Sequence, residues 1–181
     1  MITKEPWILN KRDVSSAWKG LEDYIIPIIK ALNINPKIAL EFGVDLGYST
    51  DILSQAFEQV IGVDGFLGDS QIIHQQGDEF YNSIKKSFEN TNVTLVRSLF
   101  EDFIKTNFDH YDLIHIDIIH EYEPTFKCAE WAIQHSNVVI LHDTESYPQV
   151  KKVCYDIMAK HYVRFYNIPE HFGLGVLYRN I

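Results

Sequence analysis

Apolar positions along this chain repeat with two different periods, and each change of period marks an element boundary. From residue 14 to 32 they fall at Val14, Ala17, Trp18, Leu21, Tyr24, Ile25, Ile28, Ile29 and Leu32, the spacing of one helix face. Pro27 lies inside that stretch and has no N–H to donate, so the helix is expected to kink or break there. The residues before it, Trp7 included, are expected to pack across the helix as an N-terminal arm. Beyond residue 36 the apolar runs become short. Residues 37–42, 59–64, 93–96, 112–116 and 138–141 read as strands. Residues 49–57, 78–89, 100–105, 123–134 and 148–161 read as the intervening helices, with Ser49 as an N-cap and Pro124 in a first turn. Residues 162–166 and 173–178 close the chain as two further strands joined by a short loop.

Alternating strands and helices followed by a strand pair predict an α/β protein: a Rossmann-like, doubly wound sheet of about seven strands. The last connection is too short for a parallel crossover, so the sheet should be mostly parallel with an antiparallel last strand. At 181 residues one domain is expected, with 1–36 forming the arm and first helix and 37–181 the core.

Composition narrows the classes of partner. Apolar residues make up 46% and charged residues 23%, as in ordinary globular proteins. No apolar run approaches the roughly 18 residues of a membrane span, and the N-terminus has no apolar stretch of signal-peptide length. The expectation is a cytoplasmic protein without a membrane partner. The formal charge of −9 repels phosphate backbones, which argues against nucleic acid. Cys128 and Cys154 make no CxxC pair and fall on apolar helix faces, as buried thiols do.

In open sheets of this kind ligands bind at the carboxyl ends of the strands, near the switch in strand order. After the first strand the chain reads Glu41-Phe42-Gly43-Val44-Asp45-Leu46-Gly47-Tyr48-Ser49-Thr50. Two glycines bracket a tight turn, but the spacing is GxxxG, not the GxGxxG of dinucleotide folds. A pyrophosphate tolerates no carboxylate beside its helix-terminal amides, and this turn carries Glu41 and Asp45. Acidic groups there suit a cationic ligand. Asp64 closes the second strand, 21 residues after Gly43, where a carboxylate can accept both hydroxyls of a ribose.

The first-strand motif from Leu40 to Ser49 resembles that of small-molecule O-methyltransferases, notably the catechol O-methyltransferase group. The stretch from Tyr111 to Glu123, with Val139-Ile140-Leu141-His142-Asp143, resembles the group that includes macrocin- and rhamnosyl-type sugar O-methyltransferases. The resemblance covers about residues 38–178 and implies S-adenosylmethionine as cofactor. It places Glu41 and Gly43 at the methionine moiety, Gly47, Tyr48 and Ser49 along the turn and the carboxylate, Asp64 at the ribose and Ser98 near the adenine.

Methyl transfer to oxygen needs a nucleophile placed in line with the sulfonium and relieved of its proton. The candidates are Asp117 and His120 after the fourth strand and His142 and Asp143 after the fifth. Asp117 and Asp143 can supply oxygen ligands to a hard cation such as Mg²⁺, and His120 can serve as general base. The sugar-type pattern reads Asp-Gly-Asp-His, whereas this chain has Asp117-Ile118-Ile119-His120 and so lacks one carboxylate. His115, alternating with Ile114 and Ile116, reads as a core histidine. The expected activity is O-methylation of a small hydroxylated acceptor or sugar. A non-catalytic cofactor-binding relative and an NAD-type oxidoreductase are the alternatives. Phe66, Leu67 and Phe172 are candidates for lining the acceptor pocket. A homo-oligomer, with a partner chain completing that pocket, is compatible with the sequence.

Overall fold

The computed structural model describes residues 2–68 and 76–179. In chain order the elements are α1 (Glu22–Ala31), β1 (Ile38–Phe42), α2 (Tyr48–Ala56), β2 (Gln59–Asp64), α3 (Asp78–Ser87), β3 (Val93–Arg97), α4 (Phe100–Thr106), β4 (Leu113–Ile116), α5 (Tyr122–His135), β5 (Val138–His142), α6 (Pro148–His161), β6 (Arg164–Ile168) and β7 (Leu174–Tyr178). The seven strands form one sheet in the order β3-β2-β1-β4-β5-β7-β6. The first five are parallel, and β7 runs antiparallel to both β5 and β6. The strand order reverses between β1 and β4, which opens a crevice at their carboxyl ends.

Period-two alternation assigns each strand residue to one of two layers. Leu40, Phe42, Ile114, Ile116, Val139 and Leu141 pack with residues of α4, α5 and α6. Ala39, Val60, Leu113, Val138 and Ile140 face α1 and α2 across the sheet. β4 and β5 are buried along their whole length, as central strands covered on both sides must be. Cys128 and Cys154 are buried free thiols, and burial pushes the Cys154 pKa up to about 12.

The first helix differs from the expected 14–32. Gly20 sits at φ +103, where no helix can pass, and α1 starts only at Glu22. Residues 14–21 turn instead, and place Trp18 and Leu21 in the core. Pro27 neither breaks nor ends α1. Its missing N–H leaves the Asp23 carbonyl without a helical donor, and the Glu5 amide supplies one at 2.9 Å. The Trp7 amide adds a bond to Asp23 Oδ1 at 2.7 Å. The N-terminal arm therefore packs on α1 as expected, at the gap that the proline creates.

Two other boundaries moved. Ser49 is not an N-cap: Gly47, at φ +76, holds that position and Ser49 lies buried inside α2. The sixth strand begins at Arg164, because Tyr162 is the left-handed residue that ends α6. Within the 65–92 connection, residues 69–75 lie outside the described part.

Candidate active site

The β1–α2 turn is shaped by a close approach between two strands. A Cβ built on Gly43, whose φ is +90, would fall 1.8 Å from the Asp117 carbonyl oxygen. The Asp117 amide donates to the Phe42 carbonyl at 2.8 Å, so the ends of β1 and β4 are locked together at this point. Glycine is required here by packing as well as by dihedral. The turn then delivers the first amides of α2, which no helical carbonyl can satisfy, to the crevice.

Asp64, at the end of β2, holds this turn in place. Its Oδ2 accepts from the Val44 amide at 2.9 Å and the Asp45 amide at 3.0 Å, and its Oδ1 accepts from the Phe66 amide at 2.6 Å. A carboxylate has about four lone-pair sites, so three are engaged and about one remains for a ligand. Ser98 follows β3, and its amide donates to the Asp64 carbonyl at 3.0 Å, which sets it beside the same wall of the crevice. Tyr48 also lines the crevice, but its ring belongs to the α1–α2 core. Burial, followed by the Glu22 carboxylate, drives its phenol well above the ordinary tyrosine pKa.

Glu41 does not line the crevice. Strand alternation turns it toward the α1–α2 layer, where it is fully buried. There it accepts from the Thr50 hydroxyl and stands 2.8 Å from His115 Nδ1. The Trp18 indole N–H in turn donates to His115 Nε2 at 3.1 Å. The nitrogen roles follow: Nε2 accepts, so Nδ1 carries the proton toward Glu41. His115 is thus the satisfied core histidine that its strand position predicts. Glu41 is a buried anchor whose four-residue network ties the 15–18 segment to α2.

At the other end of the crevice four side chains converge. Asp117 leaves β4 beside His142 and Asp143 at the end of neighbouring β5, and the chain turns back to bring in His120. His120 Nε2 is 2.9 Å from Asp143 Oδ2 and 3.5 Å from Asp117 Oδ1. His142 Nδ1 is 3.1 Å from Asp117 Oδ2 and 3.3 Å from Asp143 Oδ2. Tyr147 stacks on the His120 ring at 4.1 Å with 8° between planes. Asp143 adopts φ +65, and its turn is pinned by the Glu145 amide donating to the Phe172 carbonyl at 2.8 Å.

The electrostatics of the cluster favour positive charge between the carboxylates. Burial would lower the His120 pKa, but the hydrogen bonds to Asp117 and Asp143 prevail and raise it to about 9. Burial would raise Asp117, yet His142 and His120 hold it well below the usual carboxylate range. In the metal-free chain the two carboxylates thus favour the protonated form of His120. Asp117, His120 and Asp143 each present one ligand atom within 4.8 Å of the others, so the donor set fits a divalent cation.

One continuous cleft of about 440 Å³ joins the two ends. Gly43, Ser49, Asp64 and Ser98 line one end, and Asp117, His120, His142 and Asp143 the other. The structure adds wall residues that sequence reasoning missed. Ser15, Ser16, Ala17 and Trp18 close one side, and Glu101 stands in the first turn of α4. Glu101, like Ser98, lies near the carboxyl end of β3, a position that open sheets of this kind use for ligands. The 15–18 segment has no such signal, because its place depends on the Trp18–His115 contact. Leu67 reaches the cleft, whereas Phe66 is fully buried against α3 and Phe172 is not among the lining residues.

A crevice at the β1/β4 switch point, with a tight acidic turn and a carboxylate after β2, lies where Rossmann-like sheets take their ligands. The family described as a methyltransferase domain matches residues 40–144, from β1 to just past Asp143, and the chain belongs to that family. No curated protein matches it significantly. Among solved structures it is similar to the SAH-bound (S-adenosylhomocysteine-bound) Podospora anserina methyltransferase PaMTH1, with TM-score 0.64, 14% identity, and 85% of this chain and 76% of that chain covered. It is also similar to the Bacillus cereus O-methyltransferase in complex with SAH, with TM-score 0.63, 16% identity, and coverage of 92% and 83%. The Streptomyces achromogenes O-methyltransferase TomG, in complex with SAM, gives TM-score 0.63, 13% identity, and coverage of 85% and 77%. Among the described residues no helix is long and apolar enough to cross a membrane.

Proposed function

We propose that the chain is a single-domain S-adenosylmethionine-dependent O-methyltransferase acting on a small hydroxylated acceptor. The observation that carries this reading is the continuity of the cleft, which joins a nucleoside-type end to a cluster of acid–base groups in one cavity. Its volume of about 440 Å³ lies in the range of small-molecule sites. Asp45, Asp64 and Glu101 give the cofactor end an acidic lining, which suits a ligand bearing an ammonium and a sulfonium. The amides that open α2 suit the ligand's carboxylate. The similar structures that hold SAH or SAM, two of them O-methyltransferases, support the same assignment.

In this reading Asp64 accepts from the ribose, Ser98 stands by the adenine, and Gly43 lets the ligand pass close to the backbone. The acceptor hydroxyl sits at the Asp117–His120–Asp143 end, where fixed charges orient it in line with the methyl carbon. The new C–O bond forms as the S–CH3 bond breaks and the sulfonium becomes a neutral thioether, and the hydroxyl proton leaves to water. A divalent cation held by Asp117, His120 and Asp143 would lower the pKa of a hydroxyl beside it. His142 orients both carboxylates. The net charge of −9 argues for a small acceptor over nucleic acid, and the cytoplasm is the proposed compartment. A second copy completing the pocket is compatible with this reading.

Calorimetric titration with SAH, with NADH as control, tests it. Selective, micromolar SAH binding is expected. Binding of NADH, or of neither ligand, would overturn the assignment.

A further inference from the structure

The cluster at the reacting end holds an imidazole where a hard-cation site would present only oxygen. Donor atoms bound at right angles on one ion, each about 2.1 Å from it, stand about 3.0 Å apart. His120 Nε2 already lies 2.9 Å from Asp143 Oδ2 and 3.5 Å from Asp117 Oδ1. These two separations lie near that value, and all three donor atoms lie within 4.8 Å of one another. The His120 ring is fixed by its near-parallel stack on Tyr147, with Nε2 aimed between the carboxylates. Behind them His142 Nδ1 reaches Asp117 Oδ2 at 3.1 Å and Asp143 Oδ2 at 3.3 Å, the outer contact that orients carboxylate ligands.

The residue types decide between metals. Carboxylates and water suit Mg²⁺, whereas imidazole nitrogen favours first-row transition metals, whose affinities also rise along the series from Mn²⁺ to Cu²⁺. We propose that Asp117, His120 and Asp143 form a facial site of one nitrogen and two oxygens that selects a transition-metal dication over Mg²⁺, with His120 as a metal ligand. The inference rests on the methyltransferase reading only in taking this cluster as the reacting end.

The test uses the full chain stripped with chelator and titrated with CoCl₂ or MgCl₂. Co²⁺ is expected to bind at least about thirtyfold tighter than Mg²⁺. His120→Ala should weaken Co²⁺ at least about tenfold and change Mg²⁺ less than about threefold. In the Mn²⁺-loaded chain, pulsed electron paramagnetic resonance should show coupling to an imidazole ¹⁴N, and His120→Ala should abolish it. His120→Asp, which supplies oxygen in place of nitrogen, should narrow the gap between Co²⁺ and Mg²⁺. Equal affinity for the two metals in the parent chain, or no ¹⁴N coupling, overturns the proposal. So does coupling that survives His120→Ala. Absence of any metal binding overturns it too and leaves the cluster as ion pairs alone. The parent-chain spectrum decides even if a variant fails to fold. SAH titration of the same samples separates the two readings: SAH binding without metal selectivity sinks only this inference, and metal selectivity without SAH binding sinks the methyltransferase reading.

Discussion

Replacing Asp64 with alanine should damage folding and ligand binding by separable amounts. The carboxylate accepts the amides of Val44, Asp45 and Phe66. Hydrogen bonds to a charged group each contribute about 1.5–3 kcal/mol. The Asp64 surroundings are only partly buried, so water recovers part of that, and a total loss of about 2–4 kcal/mol is expected. For a chain of this length that lowers Tm by about 5–15 °C. The ligand effect is bounded by the same geometry. With about one lone pair left, Asp64 gives the ribose one charge-assisted bond, so SAH should weaken about ten- to hundredfold. The assays are thermal unfolding without ligand and SAH calorimetry at a temperature where the variant is folded. A Tm shift under about 2 °C would refute the anchoring role. SAH affinity unchanged in the folded variant would refute the ribose contact.

Other sites test other links in the argument. Gly43→Ala forces a Cβ against the Asp117 carbonyl at positive φ and should cost about 3 kcal/mol or more, read as a lowered urea midpoint; an unchanged midpoint would contradict the close strand approach. Trp18→Phe leaves buried His115 Nε2 without its donor and should cost about 2–4 kcal/mol, whereas Lys19→Ala should cost under about 0.5 kcal/mol by the same unfolding assay. The His120 pKa rises from 6.5 unfolded to about 9 folded. Its stabilisation is therefore fully present below about pH 6.5 and is lost as pH rises through 9, by up to about 3 kcal/mol. In the metal-free chain this decline should appear in urea midpoints measured from pH 6 to 10, and His120→Gln should flatten it.

The sheet was legible because its strands are short apolar runs whose flanking helices have clear 3.6-residue periodicity, and α6 carries that pattern over its whole length from Pro148. The crevice was legible for the same reason, since strand order alone brings Gly43, Asp64, Asp117 and Asp143 to one edge. Three features were not. The apolar period continues through 14–21, but Gly20 overrides it with a backbone conformation that periodicity does not report. Glu41 sits in an acidic motif, yet its direction is set by the pleat, which sends it to Thr50 and His115 rather than to the crevice. An isolated imidazole titrates near 6.5, and only the folded distances to Asp117 and Asp143 show what raises the His120 pKa. Properties set by local pattern came through, and those set by contacts distant in sequence did not.

The central claim is that one cleft holds the methyl donor's nucleoside at the Gly43–Asp64 end and points its reacting centre at Asp117, His120 and Asp143. A crystal structure of the chain with SAH tests it most directly. The ribose is expected within hydrogen-bond distance of Asp64, the carboxylate at the amides opening α2, and the sulfur facing the Asp117–His120–Asp143 cluster. SAH bound elsewhere, or in this cleft with its sulfur turned away from that cluster, would contradict it.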